Sequence, residues 1–228
     1  MVSEEHTEGL DFVKTHQPCN DCGSSDALSI NADGSPKCFS CGQFTPSNKE
    51  HIQVSKPSGF LTGTIVPITA RRINEEACKK YDYRVTQYNG KPCHVATYYN
   101  EQRQVVAQKL RFEDKSFQCI GSPQYFYGQH MFPNGGRKLA ITEGEIDCLT
   151  VSQVVGDNKY PVVSLPAGAQ NAKAMFKKHM EWLNKFEEIV LLFDMDDVGQ
   201  KAIEEVSHIL PIGKIKVAKL PLKDANDM

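Results

Sequence analysis

The sequence has no long hydrophobic run and no apolar leader. No apolar segment of the 228 residues approaches the roughly 20 residues that a membrane-spanning helix needs. The N-terminal stretch MVSEEHTEGL is acidic and lacks the hydrophobic region of a signal peptide. These absences argue against an exported or membrane-embedded protein, and we expect a cytoplasmic protein with no membrane partner.

The chain also has little net charge, with a formal value of −2. The charges are nevertheless unevenly placed, because residues 63–135 carry 10 Lys and Arg against 6 Asp and Glu, whereas residues 136–228 carry 12 against 14. A basic section beside an acidic one suits a polyanion held near metal-binding carboxylates. The contrast is modest, and chance variation of the surface explains it nearly as well.

Eight cysteines in a chain without an export signal indicate metal binding or buried thiols rather than disulfides. Cys19 and Cys22 are separated by two residues, as are Cys38 and Cys41, and fifteen residues lie between the pairs. Two such pairs complete a tetrahedral thiolate shell around Zn²⁺. The intervening LSINADGSPK predicts a short hairpin that turns at Asp33-Gly34. Residues 1–46 are therefore predicted to form a zinc ribbon that depends on the ion for most of its folding energy.

The next section is a polar linker followed by a small mixed subdomain. Residues 47–63 carry Pro, Ser and Gly and predict a flexible linker. Residues 64–135 predict an α+β subdomain, with a helix in NEEACKKY and strands in HVATYY and QVVAQKLRF. Lys109, Arg111 and Lys115 lie at the end of this hairpin. Such a run of cations protects a strand edge more often than it clamps a phosphate, and the pattern leaves both roles open.

The final section, residues 136–228, alternates apolar strands with amphipathic helices. The strands are KLAIT, YPVVSLP, EIVLLFD and KIKVAKLP, and the helices are IDCLTVSQVV, NAKAMFKKHMEWLNKF and VGQKAIEEVSHIL. Such alternation predicts a mostly parallel sheet covered by helices. Ligands of these sheets bind beyond the carboxyl ends of the strands.

Acidic residues cluster after two of these strands. Glu143 and Glu145 follow KLAIT, and Asp194, Asp196 and Asp197 end the run IVLLF. Helix capping explains one or two of the aspartates, but it does not explain a second acidic cluster at an equivalent position. Carboxylates that converge from two strand ends are the ligands that Mg²⁺ requires. The pattern therefore favours a divalent metal site.

These motifs resemble a known family. ITEGEIDCLT, followed about fifty residues later by LLFDMDDVGQKA, resembles the Toprim pattern of a glutamate motif and an Asp-x-Asp motif. With the cysteine ribbon, the order of features resembles the primase half of the bacteriophage T7-type primase–helicases. PCNDCGSSD, TARR, QKLR, YPVVSL and KDAND also match. The resemblance implies an α/β Toprim-type parallel sheet with an adjoining α+β subdomain, the N-terminal part of an RNA polymerase domain, preceded by a small β zinc ribbon.

What the resemblance implies for function is a DNA primase that makes short RNA primers on single-stranded DNA in phage replication. The reaction would be a metal-dependent nucleotidyl transfer. The implied ligands of Mg²⁺ or Mn²⁺ are Glu143, Asp194, Asp196 and Asp224. The implied catalytic residues are Glu143, Lys109 and Lys115. The implied contacts to nucleotide or template are Arg71, Lys109, Arg111, Lys115, Asp33 and Ser35.

The same resemblance implies particular partners. They are a single-stranded DNA template, ribonucleoside triphosphates, a ring helicase that is fused or separate, and a replicative DNA polymerase, in the cytoplasm of the bacterial host. The Walker A pattern of the helicase is absent. We therefore expect a monomer that is either a free-standing primase or a piece of a longer chain.

The sequence departs from the family pattern in the ribbon and before the Toprim section. Ser35 stands where a histidine is expected, which predicts a template preference of similar style but different sequence. Gln124 and Gln129 stand where lysines are expected, which weakens the expected phosphate contacts of that stretch.

Two other functions remain open. A Toprim nuclease would use the same acids but would not need Lys109 and Lys115 for incoming nucleotides. A non-catalytic single-strand-binding ribbon would not need to retain Glu143, Asp194 and Asp196.

Overall fold

The computed structural model describes residues 12–19, 24–25, 27–31, 35–41, 59–155 and 160–228. The chain divides into two compact units, residues 1–56 and residues 57–228. Most of the predicted linker lies outside the described residues, and the three predicted boundaries between the four segments stay a prediction. None of the described helices has the length and apolar character needed to cross a bilayer.

The first unit contains a small antiparallel sheet. Strands β1 (Phe12–Gln17), β2 (Leu28–Asn31) and β3 (Pro36–Cys38) pair in that order. The β2–β3 pair corresponds to the predicted hairpin, with Leu28 opposite Cys38, while its turn at Asp33-Gly34 lies outside the described residues. Strand β1 has no counterpart in the prediction.

The second unit begins with a helix and an antiparallel meander. Helix α1 (Glu75–Lys80) starts at Asn74, whose side chain accepts a hydrogen bond from the Ala77 N–H at 2.8 Å. Four strands follow and pair in chain order: β4 (Tyr83–Tyr88), β5 (Lys91–Tyr99), β6 (Val105–Phe112) and β7 (Phe117–Gly121). The predicted hairpin is the central β5–β6 pair, and the two outer strands were not predicted. The Asn89-Gly90 turn between β4 and β5, with φ angles of 51° and 75°, is a hairpin signal that could have revealed β4.

A parallel sheet follows, as predicted. Its strands are β8 (Gly136–Thr142), β9 (Val162–Ser164), β10 (Phe186–Leu192) and β11 (Ile215–Val217), in the spatial order β11-β10-β8-β9. All three pairings are parallel. The helices are α2 (Glu145–Val155), α3 (Ala172–Lys178), α4 (Met180–Asn184) and α5 (Asp197–Ser207).

Two predictions of element length were wrong. The single helix expected over residues 171–186 divides at His179, whose φ of −105° and ψ of 22° are not helical. The ring of His179 lies within hydrogen-bonding distance of the Gln129 side chain (3.1 Å) and the Gln124 carbonyl (2.8 Å), and these contacts hold the break in place. The last strand covers residues 215–217 rather than 214–221.

Helix α2 packs between the two sheets. Its Cys148 and Leu149 are fully buried in a cluster with Tyr83 and Tyr98 of the antiparallel sheet and Val162 of the parallel sheet. Helices α3, α4 and α5 cover another cluster that includes the interior residues of β8 and β10. Each fully buried large apolar side chain stabilises the fold by about 1.5–3 kcal/mol. The residues at the N-terminus of α2 are therefore held rigidly where the two sheets meet.

Candidate active site and zinc ribbon

Two of the predicted acids emerge at the same edge of the parallel sheet. Strands β8 and β10 are neighbours, with Thr142 opposite Leu192, and Glu143 and Asp194 follow their ends. The backbone N–H of Asp194 donates to Glu143 Oε2 at 3.4 Å, and the N–H of Ala169 donates to Glu143 Oε1 at 3.3 Å. Backbone groups from two elements thus orient the Glu143 carboxylate.

The capping role considered for the aspartates belongs to Asp196. Its Oδ1 accepts a hydrogen bond from the Gly199 N–H at 3.0 Å, at the start of α5. A Cβ on Gly199 would lie 2.2 Å from the carbonyl oxygen of Asp194, so only glycine allows this close approach. The other oxygen, Oδ2, lies 3.9 Å from Lys223 Nζ. Asp196 therefore caps the helix and still presents an oxygen at its surface.

The acids interact electrostatically. Burial, followed by the charges of Glu143, Asp224 and Asp196, raises the pKa of Asp194 to about 6. Burial and the charge of Asp224 likewise raise the pKa of Asp147 to about 7. Asp147 was not predicted as a site residue, although it lies in the same EGEID motif as Glu143 and Glu145.

The carboxylates suit a hard divalent cation that is shared with a substrate. Within the described part of the chain, no three of these acids bring ligand oxygens within 4.8 Å of one another; three cysteines do so. Mg²⁺ is usually bound by one or two carboxylates together with water and substrate phosphates, so a wider arrangement fits it.

Lys109 lies beside this acidic edge. Its Nζ is 2.9 Å from Glu145 Oε1, and the hydroxyl of Tyr98 donates to the same carboxylate. Glu145 is only 7% exposed. The ion pair joins β6 to the start of α2, so Lys109 serves at least to connect the two sheets.

The remaining predicted cations gather around one cavity. Arg71, Arg111 and Lys115 line a cavity of about 320 Å³. Lys115 occupies a tight turn between β6 and β7, with φ of 64° and its N–H bonded to the Phe112 carbonyl at 3.1 Å. The structure therefore brings three of the predicted nucleotide contacts together.

Asn226 connects the cavity to the acids. Its side chain accepts from Arg71 Nη1 at 3.3 Å and donates to the Arg71 carbonyl at 2.9 Å and to Thr150 Oγ1 at 2.8 Å. Its backbone N–H donates to Asp147 Oδ1 at 3.0 Å. Asn226 was not predicted as a site residue, although it lies in the KDAND motif with Asp224.

The ribbon brings three predicted zinc ligands together. Sulfur atoms of Cys19, Cys38 and Cys41 lie within 4.8 Å of one another, while Cys22 lies outside the described residues. The pKa of Cys38 is lowered to about 7, chiefly because of a hydrogen bond from the Cys41 backbone. Clustered thiols with thiolate character fit Zn²⁺.

The structure describes one of the two predicted template contacts of the ribbon. Asp33 lies outside the described residues, and Ser35 is fully buried. The template contacts of both residues stay predictions.

The fold resembles that of a solved phage protein. The primase fragment of the bacteriophage T7 primase–helicase protein matches with a TM-score of 0.68 and 42% identity, over 93% of this chain and 93% of that chain. The chain belongs to the family of T7-type phage primases. The resemblance seen in the sequence is thereby confirmed, and so is the predicted fold class.

Further comparisons agree with membership of the T7-type primase family. Residues 63–121 match the family described as the N-terminal a+b fold of bacteriophage T7 DNA helicase/primase, and residues 140–228 match a Toprim-like family. The DNA helicase/primase of Enterobacteria phage T3 is 40% identical over 93% of this chain, and the chain spans 40% of that relative's length. Another solved structure contains primase domains of T7 gp4 subunits with the T7 lagging-strand DNA polymerase; it matches at 45% identity and a TM-score of 0.68, over 72% of this chain and 84% of that chain.

Proposed function

We propose that this chain is a DNA primase that synthesises short RNA primers on single-stranded DNA during phage replication. The observation that carries the proposal is that acidic and cationic side chains lie close together in one unit of the chain. Glu143 and Asp194 stand at neighbouring ends of parallel strands, and the cavity that Arg71 and Lys115 line is tied to this edge through Asn226. Acids and cations in this arrangement suit a metal-bound triphosphate.

The residues have distinct proposed roles in nucleotidyl transfer. Carboxylate oxygens are the donors that Mg²⁺ or Mn²⁺ prefers, and the proposed ligands are Glu143, Asp194, Asp196 and Asp224. When bound, the ion would neutralise charge on the triphosphate and on the departing pyrophosphate. Arg111 and Lys115 bind phosphate oxygens. Glu143, which two backbone N–H groups orient, is also assigned as acceptor of the proton from the attacking 3′-hydroxyl.

Arg71 and Lys109 complete the proposed nucleotide site. Arg71 contacts nucleotide or template from the turn that Asn226 anchors. Lys109, held by Glu145, positions the start of α2 and supplies positive charge to the leaving phosphates. Lys109 is therefore proposed to have both a catalytic role and a structural role, the latter through its ion pair with Glu145.

The ribbon is proposed to hold a structural Zn²⁺ and to contact the template. Its proposed ligands are Cys19, Cys22, Cys38 and Cys41. Asp33 and Ser35 would contact template bases and help select the start sequence. The proposed domains are the ribbon (1–46), a linker (47–63), the α+β subdomain (64–135) and the Toprim subdomain (136–228).

The proposed partners follow from the relatives. The T3 relative is called a DNA helicase/primase, and the T7 primase domains interact with a DNA polymerase while bound to an RNA/DNA hybrid. We propose a ring helicase, fused or separate, and a replicative DNA polymerase as partners of this chain, in the host cytoplasm. The chain by itself is proposed to be a monomer.

Primer synthesis tests this function directly. The protein is mixed with a pool of random single-stranded DNA, labelled ribonucleotides and Mg²⁺ or Mn²⁺, beside the variants Asp194→Asn and Asp197→Asn. Asp197 is an exposed neighbour in the first turn of α5 and serves as the matched control. Template-dependent RNA that disappears only in the Asp194 variant supports a primase. Degraded template would instead indicate a nuclease, and template binding without product would indicate a non-catalytic binding module.

A further inference from the structure

One row of side chains crosses the antiparallel sheet beside the cation-lined cavity. Val85, His94, Arg111 and Phe117 stand opposite one another on β4, β5, β6 and β7. Directly opposed residues project from the same face of a sheet. Lys109 projects from this face two residues before Arg111, and a strand rises about 3.3 Å per residue. His94 therefore stands about one row, near 7 Å, beyond the Lys109–Glu145 pair.

The cavity at this row has both apolar and cationic walls. Ile68, Val85 and Ile146 contribute apolar surface, whereas Arg111 and Lys115 contribute charge. Pockets for small ligands have volumes of about 300 Å³ or more and combine apolar walls with a few polar groups. A cavity of about 320 Å³ therefore suits a single nucleotide. Apolar walls do not stabilise a phosphate, but they do stabilise the flat face of a base.

His94 is the polar group inside this apolar part. Its Nδ1 is shielded from solvent and has no hydrogen-bond partner within the described part of the chain. The ring packs against Tyr83, with centroids 5.6 Å apart, which explains the position of the ring but leaves Nδ1 unpaired. Buried polar atoms are rarely left without a partner. Because Nδ1 is shielded, a ligand in the cavity can pair with it only after the ring rotates.

The imidazole of His94 is suited to a neutral partner. Burial, followed by the charge of Arg111, lowers its pKa, so the ring is uncharged at neutral pH. A neutral imidazole offers one donor and one acceptor. The edges of nucleobases present both kinds of group in patterns that differ from base to base.

We propose that His94 is a specificity-determining residue that hydrogen-bonds the base of the incoming ribonucleoside triphosphate. The base lies in the apolar part of the cavity, and Arg71, Arg111 and Lys115 hold the phosphates. This inference rests on the proposed function, because it names the substrate group that the site distinguishes. The cavity is the size of one nucleotide, which favours the mononucleotide substrate over a continuous template strand.

Equilibrium binding tests the inference without requiring turnover. Affinities of ATP, CTP, GTP and UTP are measured by calorimetry in Mg²⁺ for the full chain and for His94→Phe and His94→Gln. Phe keeps a ring against Tyr83 but cannot hydrogen-bond, whereas Gln can. We expect His94→Phe to lose about tenfold in affinity for the preferred nucleotide, and His94→Gln to recover part of that loss.

Inorganic tripolyphosphate separates base recognition from phosphate binding. It has no base, so its affinity should stay within about twofold in His94→Phe and should fall in Lys115→Ala. His130→Phe is the matched control, because its Nδ1 is also shielded and unpaired within the described part of the chain but lines a different cavity. Its nucleotide affinities should equal those of the unmodified protein.

Three results would overturn the inference. They are unchanged nucleotide affinities in both His94 variants, an equal loss of tripolyphosphate affinity in His94→Phe, and a loss confined to single-stranded DNA. The proposed function fails separately: nucleotide selectivity that depends on His94, without any primer synthesis, would retain this inference and remove the primase assignment. Primer synthesis that is unchanged in both His94 variants would retain the primase assignment and remove this inference.

Discussion

The two sheets of the 57–228 unit present their functional side chains in different ways. The parallel sheet carries Glu143 and Asp194 beyond its strand ends, where the backbone N–H groups of Ala169 and Asp194 orient the Glu143 carboxylate. The antiparallel sheet carries cations on one face, where Lys109 and Arg111 occupy alternate positions of β6. The carboxyl ends of parallel strands lie at the same edge of a sheet, so acids that follow two such strands come close together. Cations on the face of an antiparallel sheet line up only when the strands pair in the correct register.

This difference separates two tasks of the proposed site. Burial first, and then the neighbouring acids, raise the pKa of Asp194, so its ionised form is held there at a cost that a bound cation would relieve. The cations are spread along a surface that a triphosphate could follow. We therefore expect loss of an acid to affect the chemical step most, and loss of a cation to affect binding.

The largest effect is expected from Asp194→Ala. Removing a metal-binding carboxylate should forfeit several kcal/mol of charge stabilisation, which corresponds to a fall of about 10³-fold or more in the rate of primer synthesis. Single-turnover rates at saturating nucleotide measure this step. The exposed Asp197→Ala should stay within about twofold, since a surface substitution rarely changes more. A loss of rate in Asp197→Ala as large as in Asp194→Ala would show that the acids contribute only negative charge and that Asp194 is not a specific metal ligand.

Lys109→Met should weaken the junction between the sheets. It leaves Glu145, which is 7% exposed, as a buried carboxylate that keeps the Tyr98 hydroxyl but loses its cation, and the free energy of unfolding should fall by about 3 kcal/mol. Urea unfolding followed by Trp182 fluorescence measures this, because Trp182 is the sole tryptophan and lies in the same unit.

A second ion pair provides the control for Lys109. Lys138 and Glu188 are 2.8 Å apart but have 38% and 28% of their side chains exposed. Lys138→Met should cost only about 0–1 kcal/mol. The double variant of Lys109→Met with Glu145→Gln should recover part of the loss, and no recovery would mean that the charge pair is not the cause.

Asn226→Ala should loosen the connection between acids and cations. Three hydrogen bonds of its side chain to Arg71 and Thr150 disappear, so we expect about a tenfold higher KM for nucleotide with a smaller change in kcat. Asn100, which hydrogen-bonds to Gln104 at the surface, provides the control Asn100→Ala. The effects of Asn226→Ala and Arg71→Ala should not add. Additive effects would contradict a shared network.

A further effect is a pH dependence of the stability of the metal-free protein. The raised pKa values of Asp147 (about 7) and Asp194 (about 6) mean that the folded state binds protons that the unfolded state releases above about pH 4. Stability from these groups is therefore full below that pH and is lost as pH rises through 6 and 7. Unfolding in chelator at pH 5 and pH 8, followed by Trp182, should show this fall, and Asp147→Asn should reduce it. Equal dependence in both proteins would contradict the assignment.

The sequence revealed the acidic half of the site more readily than the basic half. Glu143 and Asp194 end apolar runs, and the alternation of elements predicts which edge they share. The cations of β6 alternate as any solvated strand does, so their function rested on resemblance. Neither the pairing of Lys109 with Glu145 nor the unpaired Nδ1 of His94 follows from local pattern, because both depend on contacts between distant segments.

Element boundaries show the same limit. The apolar spacing of NAKAMFKKHMEWLNKF is helical throughout, yet His179 interrupts it through contacts with Gln124 and Gln129 about fifty residues earlier. Strand β4 was missed because its sides are only partly buried, which blurs the alternation on which strand prediction depends.

The central claim is that the acids of one sheet and the cations of the other act on one nucleotide. The most direct test is the affinity of a ribonucleoside triphosphate, measured with and without Mg²⁺, for the unmodified protein, Asp194→Asn and Lys115→Ala. We predict that Mg²⁺ strengthens binding in the unmodified protein and in Lys115→Ala, but not in Asp194→Asn, and that Lys115→Ala weakens binding under both conditions. Full Mg²⁺ dependence in Asp194→Asn, or no loss in Lys115→Ala, would contradict the claim.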